Sequence, residues 1–185
     1  MKVILILSLL LLISGCTASN ITLQSNSPFT TQDYLKKANE ESRVFSFNQY
    51  YESVGNGETR DILIKTNSKK IQLLEYILIS GDTPQDFFIY ESPTISNNGS
   101  LKQVENRNRV NNSNSSILLY ESPTISNSGS LIYRDLLISG KKEAGTTMAN
   151  PYNWILKEDT YYLIRTQNRA GNTEQIIKLI WVEFD

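Results

Sequence analysis

The chain has 185 residues and a mass of 21.0 kDa, enough for one domain and too little for two full cores. Its composition, 39% hydrophobic and 20% charged, is that of a folded chain, and its formal charge of −1 with no long basic run excludes a positive face for a nucleic-acid backbone. There is no histidine, which removes His-based triads, His metal ligands and His pH switches. The single cysteine, Cys16, leaves no internal disulfide and no Cys-Cys metal site. The expectation is therefore a non-enzymatic chain with no catalytic residues, no metal and no cofactor.

Met1 and Lys2 make a short basic start, and residues 3–13 are apolar except for Ser8. Eleven helical residues span about 16 Å, roughly half a bilayer core, so this segment reads as a secretory signal and not as a spanning anchor. It closes on Leu12-Ile13-Ser14-Gly15-Cys16, which resembles the lipobox of bacterial lipoproteins. The resemblance implies that Cys16 is acylated and becomes the first residue after cleavage. It also implies that the chain partners a lipid bilayer at the cell envelope, in the outer membrane or at the cell surface. Residues 16–31 are rich in Ser, Thr and Asn and read as a flexible tether. The remaining domain is expected over residues 32–185.

At its start, residues 31–42 can hold one short helix, with Thr31 as its cap and Tyr34, Leu35 and Ala38 on one face. Strand signals then dominate: a run at 44–47, then 61–66, 71–80, 87–90, 117–120, 131–138, 154–156, 161–166 and 176–184. Turn clusters such as Gly55-Asn56-Gly57 and Asn97-Asn98-Gly99 separate them. About nine strands without alternating helices predict an all-β fold, an antiparallel β-sandwich or jelly roll with at most one short N-terminal helix. Ile77-Leu78-Ile79 is apolar on both faces, so that strand lies deep between layers or meets another subunit.

An internal repeat follows. The thirteen residues from Ile89 to Leu101 recur thirty residues later from Leu119 to Leu131, identical at eleven positions. Leu78-Ile-Ser-Gly81 and Leu137-Ile-Ser-Gly140 form a second echo around it. Pro93 and Pro123 cannot donate to a ladder and belong at an edge or corner, while Gly99 and Gly129 offer the positive φ of a tight turn. The repeat reads as a doubled strand-turn corner with its turns side by side at one end of the sandwich. Alternatively, it is a pair of matched loops presenting Tyr90, Glu91, Tyr120 and Glu121 to a partner.

From about Lys36 to Glu183 the sequence resembles a set of tailed-bacteriophage virion structural proteins of the head-decoration or tail-associated kind. The pieces that carry this are Phe45-Ser-Phe-Asn-Gln-Tyr50, the two repeat copies, Glu105-Asn-Arg-Asn-Arg109, Trp154-Ile-Leu-Lys157, Thr160-Tyr-Tyr-Leu-Ile-Arg165 and Trp181-Val-Glu183, in that order. The resemblance implies a structural role, a β-rich module packing against a particle or against copies of itself, with a homotrimer as one such assembly. Two departures stand out: a lipoprotein signal precedes the module, and Lys141-Lys-Glu-Ala-Gly-Thr-Thr147 replaces a Gly-rich loop. They point to a module reused at a cell surface, encoded by a prophage, with the virion itself as the alternative location.

Other constellations have a structural reading beside a functional one. Arg107 and Arg109 could grip an anion by forked hydrogen bonds, or they could pair with acids in a solvated connector running to Ser116. Glu91 and Glu121 could converge as a carboxylate pair, although duplicated loops supply similar environments where acid/base pairs need unequal ones. The ten tyrosines could furnish a sugar-stacking platform for an adhesin, or core and interface packing. Trp154 and Trp181 read as core.

Overall fold

The computed structural model describes residues 31–80, 83–111, 113–137 and 154–184. Cys16, the leader, most of the tether, Gly81, residues 138–140 of the second echo and the Lys141 to Thr147 loop lie outside the described residues. The elements are α1 (Thr31–Glu40), β1 (Val44–Val54), β2 (Thr59–Lys65), β3 (Lys70–Ser80), β4 (Gln85–Glu91), β5 (Thr94–Asn97), β6 (Ser100–Lys102), β7 (Glu105–Asn106), β8 (Leu118–Glu121), β9 (Thr124–Asn127), β10 (Ser130–Leu137), β11 (Trp154–Leu156), β12 (Tyr161–Asn168) and β13 (Thr173–Phe184). All described strand pairs are antiparallel. The fold is the all-β sandwich expected, with one short helix at its start.

Two sheets face each other. One runs β11-β3-β13-β1-β7 and the other β10-β4-β12-β2-β8-β6, with β5-β9 as a separate ribbon. Period-two alternation sends Phe45, Phe47, Leu73, Leu179 and Trp181 from the first sheet into the interior. Ile62, Ile64, Ile89, Leu119, Tyr162 and Ile164 meet them from the second. Each fully buried aliphatic or aromatic side chain of this set contributes roughly 1.5–3 kcal/mol. Trp181 is fully buried and Trp154 packs on the rim of the same core. Leu78 belongs to the core as well, while the side chains of Ile77 and Ile79, on the opposite face of that strand, lie outside the described residues.

The outer face of the five-stranded sheet is closed by α1. Ala38 and Leu35 of the helix pack on Val44, Leu74, Ile180 and Val182. The helix ends where Arg43 N–H donates to the Ala38 carbonyl at 2.9 Å, with Ser42 in left-handed backbone at φ 59.

At one end of the interior, polar side chains replace apolar ones. Asn168 donates to the Val54 and Gly171 carbonyls at 2.6 and 2.9 Å, and its own oxygen accepts from Gln85 at 3.0 Å. Gln175 donates to Gln85 at 2.8 Å and accepts from the Thr166 hydroxyl at 2.9 Å. All four residues are buried and mutually satisfied, so the end is sealed without an orphaned polar group among them.

The Asn/Ser-rich span after β7 is exposed at most of its described positions and is also held by hydrogen bonds. Asn106, 2% exposed, donates to the Ser42 carbonyl at 2.8 Å and to the Ser113 hydroxyl at 2.9 Å. Asn108 accepts from the Val110 and Asn111 amides. Further on, the buried carboxylate of Glu183 accepts from the Ser115 hydroxyl at 2.6 Å, the Ser116 amide at 2.9 Å and the Trp181 indole at 3.2 Å. Short Asn and Ser side chains bond neighbouring backbone, which is why this composition builds a fixed loop here.

Candidate functional site

The repeat builds a two-fold device. In the first copy β4 ends at Ser92 and Pro93, the chain crosses as β5, turns at Gly99 and continues as β6 beside β8, a strand of the second copy. In the second copy β8 ends at Ser122 and Pro123, crosses as β9, turns at Gly129 and continues as β10 beside β4, a strand of the first. The tail of each copy thus pairs with the head of the other. The registers are equivalent: Leu101 opposes Tyr120 and Ser100 opposes Glu121, while Leu131 opposes Tyr90 and Ser130 opposes Glu91.

Local chemistry explains the shape. Ser92 and Ser122 both take φ 55, a conformation that costs a non-glycine residue about 1–2 kcal/mol, and their amides donate to Tyr161 and Asp61 carbonyls of the neighbouring strands. The following prolines have no N–H, so the ladder stops and the chain leaves the sheet. Gly99, at φ 86, lies against the backbone of Glu121, Ser122 and Pro123, where a Cβ would collide; Gly129, at φ 83, lies the same way on Glu91, Ser92 and Pro93. The arms are stitched by Ser96 to the Thr124 carbonyl at 3.2 Å and by Ser126 to the Thr94 carbonyl at 3.1 Å.

The turns therefore do not sit side by side at one end of the sandwich. Three antiparallel steps separate β4 from β8, so the copies run in opposite directions and their arms cross the outer face of the six-stranded sheet. One row across that face reads Leu131, Tyr90, Leu163, Leu63, Tyr120, Leu101, symmetric about its middle. Leu63 and Leu163 alternate with the interior-facing Ile62, Ile64, Tyr162 and Ile164, yet both are fully buried. The crossing arms cover them. Arg165 beside them holds Asp61 through two contacts of 2.7 Å and donates to Ser128 of the second arm at 3.0 Å. The Asp61 hydrogen bonds raise the Arg165 pKa above its usual value despite burial.

The four repeat residues divide between the faces. Tyr90 and Tyr120 lie on the outer row, half-buried. Glu91 and Glu121, one residue on, alternate to the sandwich side. Three strand spacings separate β4 from β8, about 14 Å, too far for a shared carboxylate site. Each glutamate has its own partners: Glu91 accepts from Lys157 at 2.6 Å and from the Tyr162 hydroxyl at 3.2 Å, while Glu121 pairs with Lys102. Burial raises the Tyr162 pKa to about 12, the Lys157 amide opposing and the Glu91 charge reinforcing the shift. Burial and the facing Glu121 carboxylate likewise raise the Tyr51 pKa.

Arg107 and Arg109 are exposed, and neither holds an acid among the described residues. The Arg107 amide is tied to the Val44 carbonyl at 2.9 Å, which brings that side chain to the groove beside α1. Among the described residues no group of acids, histidines or cysteines could hold a metal ion, and no helix is long and apolar enough to cross a membrane.

Sequence reasoning passed over Leu101 and Leu131, which are 62% and 52% exposed at the two ends of the outer row. Their equivalence in the repeat was the available signal. No protein-family model matches the chain, and no curated protein matches it.

Proposed function

We propose that this chain is a lipid-anchored, non-enzymatic interaction protein that works by protein contact through the outer face of its six-stranded sheet. One observation carries this reading. The exchanged repeat forms a two-fold platform whose equivalent leucines, Leu101 and Leu131, stand exposed on either side of the crossed arms. Exposed apolar side chains flanked by half-buried tyrosines are the composition of contact surfaces. The lipobox resemblance supports anchoring through Cys16, and the likeness to phage virion parts supports a module evolved for packing against protein. On this reading the gene is prophage-derived and the protein occupies a host or phage component at the envelope.

Expression in a bacterial host with labelled palmitate tests the anchor: the wild type carries label and sediments with membranes, and Cys16→Ala does neither. Surface cross-linking tests the contact. A Leu101→Asp/Leu131→Asp variant stays membrane-bound but loses the cross-linked species that the wild type forms. Retention of those species by the double variant removes the assigned face. If the protein interferes with superinfection, plaque counts fall on expressing cells and recover with Cys16→Ala; equal counts throughout remove that role.

The resemblance to virion proteins keeps a second reading, a structural or decoration component. In that case purified particles contain the chain with residues 1–15 intact, as mass spectrometry would show.

A further inference from the structure

We infer that a second copy of this chain binds by exchange of halves, residues 31–106 of each copy pairing with residues 117–184 of the other. Such exchange does not depend on what the outer face of the six-stranded sheet touches.

Strand pairing divides the chain in two. Of the ten described pairings, nine join a strand before residue 107 to a strand after residue 117. The exception is the two-residue strand β7 beside β1. No described pairing joins two strands of the second half. β12 lies between β4 and β2, and β13 lies between β3 and β1, so each half fills the gaps of the other. The core is divided in the same way: Phe45, Ile62 and Ile64 come from the first half, and Tyr162, Leu179 and Trp181 from the second. A half by itself leaves strand edges and apolar faces open. Its complement is the other half, whichever copy supplies it.

The connection between the halves permits the exchange. Residues 107–116 are the one covalent crossing, and a chain with a single cysteine has no internal disulfide to hold its halves together. Asn106 donates to the Ser113 hydroxyl at 2.9 Å, and both side chains donate to the Ser42 carbonyl at 2.8 Å. The chain from 107 to 112 therefore leaves one place and returns to it, which stores spare length. Opened, residues 107–116 reach about 33 Å, so a half can extend into a neighbouring copy. Every strand pairing of the closed molecule recurs in the exchanged dimer, and only the crossing gives up its bonds. Each outer face is then composite, with β5 and Leu101 from one chain and β9 and Leu131 from the other.

The test refolds the full chain from urea, in detergent with micelles in excess of chains, and sizes the product by analytical ultracentrifugation. A short flexible crossing keeps the chain's own complementary half at an effective concentration of about 1 mM, so at about 200 µM chain roughly one product in six is expected to be dimeric, and at about 1 µM nearly none. The dimer should persist for hours after dilution, because separation requires both halves to open. A variant with residues 107–112 replaced by Glu-Asn-Leu-Tyr-Phe-Gln gives a site-specific protease a cut before Ser113. That cut reduces an exchanged dimer to monomer-sized particles, whereas a dimer of closed molecules keeps its size. The wild type carries the concentration and dilution readouts by itself, whether or not the variant folds. Monomer alone at both concentrations, dissociation within minutes of dilution, or a dimer that keeps its size after the cut would each overturn the inference.

Discussion

Arg165 on β12 holds both carboxylate oxygens of Asp61 on β2 at 2.7 Å, at the centre of the face that the two arms cross. Its remaining nitrogen reaches Ser128, so one guanidinium joins two core strands to the second arm. Lysine can supply the charge but not this fork. Arg165→Lys is expected to cost about 1.5–3 kcal/mol in urea denaturation, the range for hydrogen bonds to charged groups. Amide exchange should accelerate in the two arms more than in β13, and uniform acceleration across both would show that the pair does not tie down the arms.

Gly99 and Gly129 occupy equivalent places on opposite copies, each at positive φ and each against the other copy's Glu-Ser-Pro backbone. Alanine at either combines left-handed strain of about 1–2 kcal/mol with a backbone collision. Gly99→Ala and Gly129→Ala should therefore destabilise by similar amounts, above about 2 kcal/mol each. By contrast, Gly57→Ala, at φ 78 with open space around it, should cost only the strain. Chemical denaturation of the three variants decides this.

Stability should respond to pH at both ends of the scale. Burial opposes ionisation of Asp86, but hydrogen bonds from Arg169 and Arg134 outweigh it and hold the carboxyl below its usual value. Its contribution is present above the ordinary aspartate range and is lost as the pH falls through the lowered value. Tyr162 shifts the other way. Its contribution is complete below pH 10 and declines between pH 10 and about 12, because the unfolded chain releases that proton first. Asp86→Asn should flatten the acid limb of a stability–pH profile, and Tyr162→Phe the alkaline limb; an unaltered limb in either variant rejects the corresponding assignment.

Asn106 holds the span after β7 to Ser42 through its buried amide. Asn106→Ala removes the donor and leaves the Ser42 carbonyl dependent on Ser113 alone, a loss of about 1–3 kcal/mol. Limited proteolysis should then cut within residues 107–111 under conditions where the wild type resists.

Much of the sandwich was legible because its signals are local. Residues 71–80 and 176–184 are long apolar runs, and both are strands of the five-stranded sheet. The positive φ at Gly99 and Gly129 and the corner role of Pro93 and Pro123 follow from what those residues can do by themselves. The arms β5 and β9 were not legible as strands. Thr-Ile-Ser-Asn is short and mostly polar, and it becomes a strand because an identical segment lies antiparallel beside it. The candidate site was legible only as a list of residues: alternation puts Tyr90 and Glu91 on opposite faces, and the strand order keeps Glu91 and Glu121 apart.

By itself the amino-acid sequence determined where the long apolar strands lie, where they must break, and that two of those breaks are copies of one another. Each of these depends on a side chain and its near neighbours. Only the tertiary structure decided that the copies run in opposite directions, exchange their tails, and close over Leu63 and Leu163. That choice belongs to pairings between residues far apart in the chain, whose hydrogen bonds look alike in every register until burial of one apolar row selects among them.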